Sequence, residues 1–325
     1  MTEPLRSQHY LVTGGAGFIG SHLVERLLAD GSSVSIIDDF STGRHENLAH
    51  LIGNPRVRLV ESRVSACANL DQMVAESTAV IHLAAAVGVD LVVRSPIYTI
   101  QTNLDETEAI LRAAGVSGTP VLLTSTSEVY GKSQKESFEE EDDLIIGPPH
   151  LGRWSYACSK LMDEFLALAY SRERGLPVTI LRVFNTVGPR QTGRYGMVLP
   201  RFIAAARRGE PLRVFGDGTQ ARCFCYVKDT VEALVRLLTS PASRGQVFNV
   251  GNDEEVTISD LARRVIQALG SSSTLEFVPY QDAYAPGFED MRRRKPNVEK
   301  LTRVTGFRPR TPLDQIIALT AANEV

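Results

Sequence analysis

Short apolar runs alternate with stretches of helical periodicity along the first half of the chain. Such runs, bounded by polar turns, are typical of buried strands, and their regular alternation with helices predicts βαβ units. We therefore expect an α/β fold with a doubly wound parallel sheet that binds its ligand at the carboxyl ends of the strands. The predicted strands are Tyr10–Thr13, Val34–Asp38, Val57–Val60, Val80–Ala84, Val121–Ser125 and Val178–Val183. The predicted helices include Ile19–Asp30, Leu104–Ala114 and Tyr156–Arg174.

The pattern changes after Asn185, where Gly, Pro and Arg become frequent and the elements become shorter. A chain of 325 residues can bury one large core or two modest ones. We expect a first domain over residues 1–185, with residues 225–245 packing back on it. A smaller α/β lobe is expected over residues 186–224 and 246–325. The predicted elements of this half are Leu199–Arg208, Leu212–Phe215, Val231–Leu238, Val247–Val250 and Ile258–Leu269.

Composition and charge exclude several classes of function. The formal net charge of −3 gives no general attraction to nucleic acid or to anionic membranes. No apolar run approaches the ~20 residues that span a bilayer, so we expect a cytoplasmic protein with no membrane partner. Four cysteines do not make a disulfide framework in such a protein. Cys223 and Cys225 could form a metal pair, but no histidine lies at ligand spacing, and no metal site is predicted. The acidic segment Glu136–Asp143 is interpreted as a solvated loop.

A glycine-rich turn joins the first predicted strand to the first helix. Gly14, Gly17 and Gly20 would let the backbone turn sharply and bring a pyrophosphate to the helix N-terminus. A plain tight turn is the alternative, but a strand precedes this turn, a helix follows it and Asp38 ends the next strand. Asp38 could accept hydrogen bonds from both hydroxyls of an adenosine ribose, and it would repel a 2′-phosphate. The sequence therefore predicts a site for NAD rather than NADP.

Tyr156 and Lys160 are the leading candidates for catalytic chemistry. Four residues apart on a predicted helix, their side chains share one face. An ammonium beside a phenol favours the phenolate, and so lowers a pKa that is about 10 in an unperturbed tyrosine. Such a phenolate could take a proton from a sugar hydroxyl near neutral pH. A solvated helix face shows the same spacing, so this interpretation depends on the rest of the chain.

Four motifs together resemble those of the extended short-chain dehydrogenase/reductases, and within them the nucleotide-sugar epimerase, dehydratase and decarboxylase group. They are Gly14-x-x-Gly17-x-x-Gly20, Tyr156-x-x-x-Lys160, His82-Leu83-Ala84-Ala85 and Thr124-Ser125-Thr126-Ser127-Glu128-Val129-Tyr130-Gly131. The resemblance runs from Tyr10 to Pro312 and implies a Rossmann-type domain. It implies that NAD is bound by Gly14, Gly17, Phe18, Ile19, Gly20, Asp38, Ser41, Thr42, Gly43, Ala84 and Lys160. Arg63 is a departure, because the family often has an adenine-binding Asp there.

The same resemblance implies a nucleotide-sugar site. The segment 182–190 resembles the one whose Asn contacts the diphosphate, here Asn185. The segment 215–222 resembles the loop whose Arg pairs with phosphate, here Arg222, and a guanidinium suits that role because it meets phosphate oxygens bidentately. By this resemblance, Tyr156 takes the proton of the sugar C4 hydroxyl, Thr126 hydrogen-bonds that hydroxyl, and hydride passes from C4 to NAD⁺.

Glu128 and Arg294 are expected to decide the fate of the sugar after its oxidation at C4. UDP-glucuronate decarboxylases place an Arg two residues before a Pro, as Arg294 stands before Pro296, and carry a triplet like Thr126, Ser127 and Glu128. An Arg can bind the hexuronate carboxylate, and Glu128 would help to protonate C5. We expect Glu128 and Thr126 to point to the same side of one strand. The alternatives are a solvated charge at Arg294 and a supporting carboxylate at Glu128.

Further segments include both likenesses to the UDP-glucuronate decarboxylases and departures from them. Arg153–Cys158 and Gly287–Asp290 look like the aminoarabinose-pathway and apiose/xylose members of this branch. The common UDP-xylose synthases, however, have a Pro-rich turn and a Tyr-Asp-Glu-Gly-Lys stretch that this chain lacks. The sequence favours NAD-dependent decarboxylation of UDP-glucuronate to UDP-xylose or UDP-4-keto-xylose. The alternatives are a 4-epimerase of UDP-glucuronate or UDP-glucose, a nucleotide-sugar 4,6-dehydratase, and a non-catalytic dinucleotide sensor. The family also implies a homodimer formed by the helices Pro96–Ala114 and Tyr156–Arg174.

Overall fold

A seven-stranded parallel sheet forms the centre of the fold. The chain was analysed in a computed structural model that describes residues 8–193, 197–279, 282, 291 and 293–322. The strands of this sheet are β1 (His9–Thr13), β2 (Ser33–Asp38), β3 (Val57–Glu61), β4 (Ala79–His82), β5 (Val121–Thr126), β6 (Val178–Val183) and β11 (Gln246–Val250). Their spatial order is β11-β6-β5-β4-β1-β2-β3. The expected doubly wound α/β fold is confirmed.

Three two-stranded ladders, ten α-helices and several 3₁₀ turns make up most of the remaining described chain. The ladders pair β7 (Thr186–Val187) with β10 (Cys225–Tyr226), β8 (Leu212–Phe215) with β13 (Leu275–Val278), and β9 (Ala221–Cys223) with β12 (Glu255–Thr257). The helices are α1 (Phe18–Ala29), α2 (Leu70–Ala75), α3 (Val89–Arg94), α4 (Pro96–Ser117), α5 (Trp154–Arg174), α6 (Val198–Arg207), α7 (Val227–Thr239), α8 (Ile258–Leu269), α9 (Glu299–Thr305) and α10 (Leu313–Ala321).

The central strands are apolar along nearly their whole length because helices cover both faces of the sheet. On one face, α1 and α7 bury Leu23, Leu27 and Leu234 against Val12. On the other face, residues of α4 and α5 join a second apolar cluster with β1, β5 and β6. The edge strand β3 has three exposed residues and no buried one, as expected where a sheet meets solvent.

A third apolar cluster lies outside the sheet and is formed by α6, α8 and α10. Leu199, Phe202, Leu261 and Ile316 are buried in it. We propose that this cluster is the core of the smaller lobe. The boundaries of the two lobes stay a prediction. Strand β11 (Gln246–Val250) pairs with β6 in the central sheet. It follows directly after residues 225–245, the segment expected to pack back on the first domain.

The order of the strands sets the position of the ligand cleft. After β3 the chain crosses back to β4 on the other side of β1, so the direction of winding reverses between β1 and β4. In sheets of this kind the crevice at that point, outside the carboxyl ends of the strands, is where ligands bind. No helix in the described part of the chain is long and apolar enough to cross a membrane.

Candidate active site

A cleft of about 710 Å³ lies at the carboxyl ends of the central strands and extends to residues of the second half of the chain. It brings together almost all of the residues singled out in the sequence. The predicted residues that line it are Gly14, Gly17, Phe18, Ile19, Gly20, Asp38, Ser41, Thr42, Arg63, Ala84, Thr126, Ser127, Glu128, Tyr156, Lys160, Asn185, Arg222 and Arg294. Gly43 is not among the lining residues.

The glycine turn after β1 leaves no room for larger side chains. Gly14 has φ +71, and a Cβ there would lie 2.8 Å from the backbone nitrogen of Ala84. A Cβ on Gly20 would lie 2.1 Å from the carbonyl oxygen of Gly14. The open backbone of this turn ends at the N-terminus of α1, where unpaired N–H groups favour an anion. The turn therefore fits the pyrophosphate of NAD.

Asp38 ends β2 beside this turn. The N–H of Ala16 donates to its Oδ2 at 2.8 Å, and the N–H of Phe40 donates to its Oδ1 at 2.9 Å. Burial raises the pKa of this carboxyl group, and the two N–H donors oppose that shift. Each oxygen keeps a second lone pair for a ribose hydroxyl. Gly43 packs against this carboxylate, since a Cβ on it would lie 2.7 Å from Oδ1.

Arg63 lines the cleft at the position where an adenine-binding Asp was expected. Its guanidinium is held by Glu106, with Nη2 3.0 Å from Oε1, and Glu106 is buried. The N–H of Ser65 fixes the other carboxylate oxygen at 2.9 Å. This site therefore presents a hydrogen-bond donor, where an Asp would present an acceptor.

Tyr156 and Lys160 lie on α5, as predicted, and both are buried. Tyr156 is hydrogen-bonded to Thr126, the last residue of β5. The pKa of Tyr156 is raised, mainly by burial and further by the negative charges of Glu128 and Asp163. The expectation of a lowered pKa for Tyr156 is therefore wrong for the protein alone. Lys160 instead donates to Asp163 Oδ2 at 2.7 Å, so its charge is compensated.

Glu128 lies between two guanidinium groups at the floor of the cleft. Its Oε1 is 3.3 Å from Nη1 of Arg294, and its Oε2 is 3.6 Å from Nη1 of Arg153. The expected strand geometry is wrong, because β5 ends at Thr126 and Glu128 belongs to the 3₁₀ turn Ser127–Tyr130. Thr126 Oγ1 accepts the N–H of Glu128 at 3.2 Å and so caps that turn. Sequence reasoning gave Arg153 no role in the site.

The loop that carries Arg294 is fixed by the acidic segment. The N–H of Phe138 donates to the carbonyl of Lys295 at 2.8 Å, and the N–H of Asn297 donates to the carbonyl of Phe138 at 2.8 Å. Phe138 is buried, and the side chain of Asn249 donates to its carbonyl as well. Glu136–Asp143 is a loop with four exposed residues, as interpreted, but the buried Phe138 within it is not solvated. Gly287–Asp290, which added to the family likeness, lies outside the described residues.

Asn185 and Arg222 approach the cleft from the second half of the chain. The side-chain amide of Asn185 donates to the carbonyl of Cys223 at 3.1 Å. Arg222, on β9, donates to the carbonyl of Ala221 at 2.7 Å, and it is 7% exposed. A nearly buried guanidinium beside an amide gives donors that suit phosphate oxygens.

Comparison with known proteins agrees with this site. The chain is 42% identical over 306 residues to UDP-N-acetyl-alpha-D-glucosaminuronate decarboxylase of Bacillus cytotoxicus, covering 94% of each protein. It is 36% identical to UDP-glucuronic acid decarboxylase 1 of Xenopus tropicalis, covering 94% of this chain and 69% of that protein. The structure of UDP-glucuronic acid 4-epimerase from Bacillus cereus, in complex with UDP-glucuronic acid and NAD, superposes with a TM-score of 0.87 at 28% identity, covering 97% and 98% of the two chains. The sequence model of the NAD dependent epimerase/dehydratase family matches residues 10–251, and the chain belongs to this family of NAD-dependent enzymes.

Proposed function

We propose that the enzyme catalyses the NAD-dependent decarboxylation of UDP-glucuronate. The observation that carries the proposal is the contact of Glu128 with both Arg153 and Arg294 in the cleft that contains Tyr156. The side chains of the two arginines and of Glu128 are only 5–15% exposed. A nearly buried guanidinium group is a strong binding partner for a substrate carboxylate.

The side chains around Tyr156 support oxidation at C4 of the sugar. Tyr156 would take the proton of the C4 hydroxyl, and Thr126, already hydrogen-bonded to Tyr156, would hold that hydroxyl in place. Bound NAD⁺ would supply the hydride acceptor. Lys160 would then donate hydrogen bonds on the cofactor side of the phenol, and Ser127, which is buried beside Thr126, would narrow the cleft around the sugar.

The charged cluster supports the loss of CO₂ from the 4-keto sugar. The C5 carboxylate of that sugar is part of a β-keto acid, so the electron pair of the breaking C–C bond passes into the C4 carbonyl. Arg294 and Arg153 would orient the carboxylate, and Glu128 would direct a proton, its own or that of a water, to C5. Asn185 and Arg222 would hold the diphosphate. The product is UDP-4-keto-xylose, or UDP-xylose after hydride returns to C4.

The direct test is to incubate the enzyme with NAD⁺ and UDP-glucuronate and to measure both CO₂ and the nucleotide sugars formed. We expect CO₂ in equal amount to the pentose nucleotides. Recovery of UDP-galacturonate without CO₂ would reject the proposal in favour of 4-epimerisation. A dehydratase would leave UDP-glucuronate unchanged but would eliminate water from a nucleotide hexose, so UDP-glucose is the second substrate to assay.

A second candidate substrate is the 2-acetamido hexuronate UDP-N-acetylglucosaminuronate. The chain is more similar to the Bacillus cytotoxicus decarboxylase, whose name contains this sugar, than to the Xenopus tropicalis enzyme. The two substrates differ only at C2, so the chemistry at C4 to C6 is unchanged. Competition between them in one reaction, followed by mass spectrometry of the two pentose products, gives the ratio of kcat/KM directly.

We also propose that two copies of the chain pair through α4 and α5. Both helices expose large apolar side chains to solvent, with Ile97 72%, Met162 54% and Phe165 58% exposed. Apolar patches of this kind are typical of protein interfaces. Sedimentation should give a dimer, which Phe165→Glu should convert to a monomer. Ile52→Glu, at an equally exposed apolar position outside these helices, should leave the dimer intact.

A further inference from the structure

Asp163 is a buried carboxylate that the proposed reaction does not use. It lies on α5 three residues after Lys160, and its Oδ2 accepts a hydrogen bond from Lys160 Nζ at 2.7 Å. The side chain of Lys160 is 3% exposed and that of Asp163 is 0% exposed. Burial raises the pKa of the Asp163 carboxyl group, and the charge of Lys160 and hydrogen bonds from Lys160 and from Thr107 on α4 oppose that shift. The two charged groups therefore form a desolvated ion pair one helical turn from Tyr156.

A chain of polar side chains fixes the position of this pair. Thr107 Oγ1 lies 3.3 Å from Nε2 of His82, and Nδ1 of His82 lies 2.7 Å from Oγ1 of Thr13. Burial lowers the pKa of His82 to about 3, and the charge of Lys160 adds to that shift. His82 is therefore neutral at physiological pH and contributes no charge to the pair.

The other charged groups near Tyr156 have partners of their own. Glu164, the residue after Asp163, is paired with Arg182 of β6 at 2.8 Å. At the opposite side of Tyr156, Glu128 is paired with Arg294 and Arg153. Within the described residues, the charge of Lys160 is thus offset by Asp163.

This pairing weakens the effect of the Lys160 charge on Tyr156. An isolated ammonium would favour the phenolate, whereas an ion pair has a field that falls off more steeply with distance. We propose that Asp163 is a positioning residue that offsets the charge of Lys160, so that Tyr156 stays protonated until the positive nicotinamide ring of the cofactor is bound. The inference rests on the proposed role of Tyr156 as the base.

The first test is the pH profile of hydride transfer in Asp163→Asn. This variant keeps the shape of the side chain and removes its charge, so the charge of Lys160 acts on Tyr156 unopposed. A lower pKa of the base means that activity persists to lower pH. We expect the acid limb of the pH profile for single-turnover NADH formation to move to lower pH by about one unit. That shift corresponds to a tenfold change in the ionisation equilibrium of the base. Asp163→Glu should restore the limb, and an unmoved limb in Asp163→Asn would overturn the proposal.

The second test measures binding without turnover. Asp163→Asn adds net positive charge close to the cofactor site, which repels the charged ring of NAD⁺ but not the neutral ring of NADH. The dissociation constant of NAD⁺ divided by that of NADH should therefore rise by about threefold or more. The reason is that the buried charge of Lys160 and the charge of the nicotinamide ring still interact despite screening. An unchanged ratio would show that Asp163 does not offset the charge of Lys160, and would overturn the proposal.

Glu164→Gln is the matched control for a purely structural effect. It removes an adjacent, equally buried carboxylate whose partner is Arg182 instead of Lys160. It should lower the melting temperature. The acid limb of the pH profile and the ratio of the NAD⁺ and NADH dissociation constants should stay as in the wild type. If Asp163→Asn does not fold, Asp163→Ser, which leaves room for a water, carries the same expectations.

The two proposals fail differently. If the wild type forms no NADH with any nucleotide sugar, the proposed function is wrong. The ratio of the NAD⁺ and NADH dissociation constants still tests whether Asp163 offsets the charge of Lys160. If the wild type turns over and Asp163→Asn changes neither the limb nor the ratio, only the role of Asp163 is wrong.

Discussion

Nη1 of Arg294 lies 3.3 Å from Oε1 of Glu128, although 166 residues separate the two in sequence. Both side chains are nearly buried, so each reduces the cost of desolvating the other. A substrate carboxylate that enters this cluster competes with Glu128 for the same guanidinium group. The contact therefore links binding of the hexuronate to release of Glu128, the group proposed to direct a proton to C5.

Arg294→His should strongly reduce CO₂ release and leave NAD binding intact. Losing one partner of a buried, hydrogen-bonded charge pair costs about 2–5 kcal/mol, so kcat/KM for UDP-glucuronate should fall about a hundredfold or more. The measurement is CO₂ release together with NADH binding by fluorescence. Arg293→His is the matched control, because Arg293 is 44% exposed and pairs with Glu255. Normal CO₂ release from Arg294→His would remove Arg294 from the mechanism.

Glu128→Gln should separate the oxidation at C4 from the later steps. The negative charge of Glu128 raises the pKa of Tyr156, so its removal lowers that pKa and moves the acid limb of NADH formation to lower pH. Protonation of C5 should slow, because a carboxamide neither transfers a proton nor activates a water. We therefore expect NADH and an enolate-derived intermediate to accumulate in single-turnover absorbance traces. Slower NADH formation at every pH, with no accumulation, would contradict this division of roles.

Local rules predicted the fold and the cofactor half of the site. The central strands are apolar because both faces are covered, and Gly20 is required by its close contact with the carbonyl of Gly14 in the same turn. Both signals are contained in short stretches of sequence. Tyr156 and Lys160 could be found in the same way, because their spacing on one helix sets their shared face.

The electrostatics of the site could not be predicted, because they depend on contacts between distant segments. The pKa of Tyr156 is set first by burial, which sequence spacing does not reveal. Arg153 reaches Glu128 only because the 3₁₀ turn after β5 meets the start of α5. Arg294 is positioned by Phe138, in a segment whose acidic composition is typical of a solvated loop.

Asp38→Asn should weaken NAD binding selectively. Its carboxylate already accepts the N–H groups of Ala16 and Phe40, so an amide, with one acceptor oxygen, cannot satisfy both and also bind a ribose hydroxyl. A hydrogen bond to a charged group contributes about 1.5–3 kcal/mol, so the dissociation constant should rise about tenfold or more. Asp71→Asn, at an exposed carboxylate outside the cleft that pairs with Arg112, should bind NADH normally in a fluorescence titration. Equal affinities of the two variants would exclude Asp38 from the cofactor site.

Asn249→Ala should loosen the loop of Arg294 without touching the cleft. The side-chain amide donates to the carbonyls of Phe138 at 2.8 Å and Asn297 at 3.2 Å, and its oxygen accepts the hydroxyl of Tyr130 at 2.7 Å. A buried group left without its partner costs about 1–3 kcal/mol, so the melting temperature should fall.

The discriminating result for Asn249→Ala is the effect on the substrate. With Arg294 less firmly held, KM for UDP-glucuronate should rise, while the affinity for NADH, which is expected to bind at the glycine turn, should stay unchanged. Asn252→Ala is the control, because Asn252 is also buried and donates to the carbonyl of Thr311. It should reduce stability without changing KM. If both variants alter KM alike, general destabilisation explains the effect, and the segment around Phe138 has no special role in positioning Arg294.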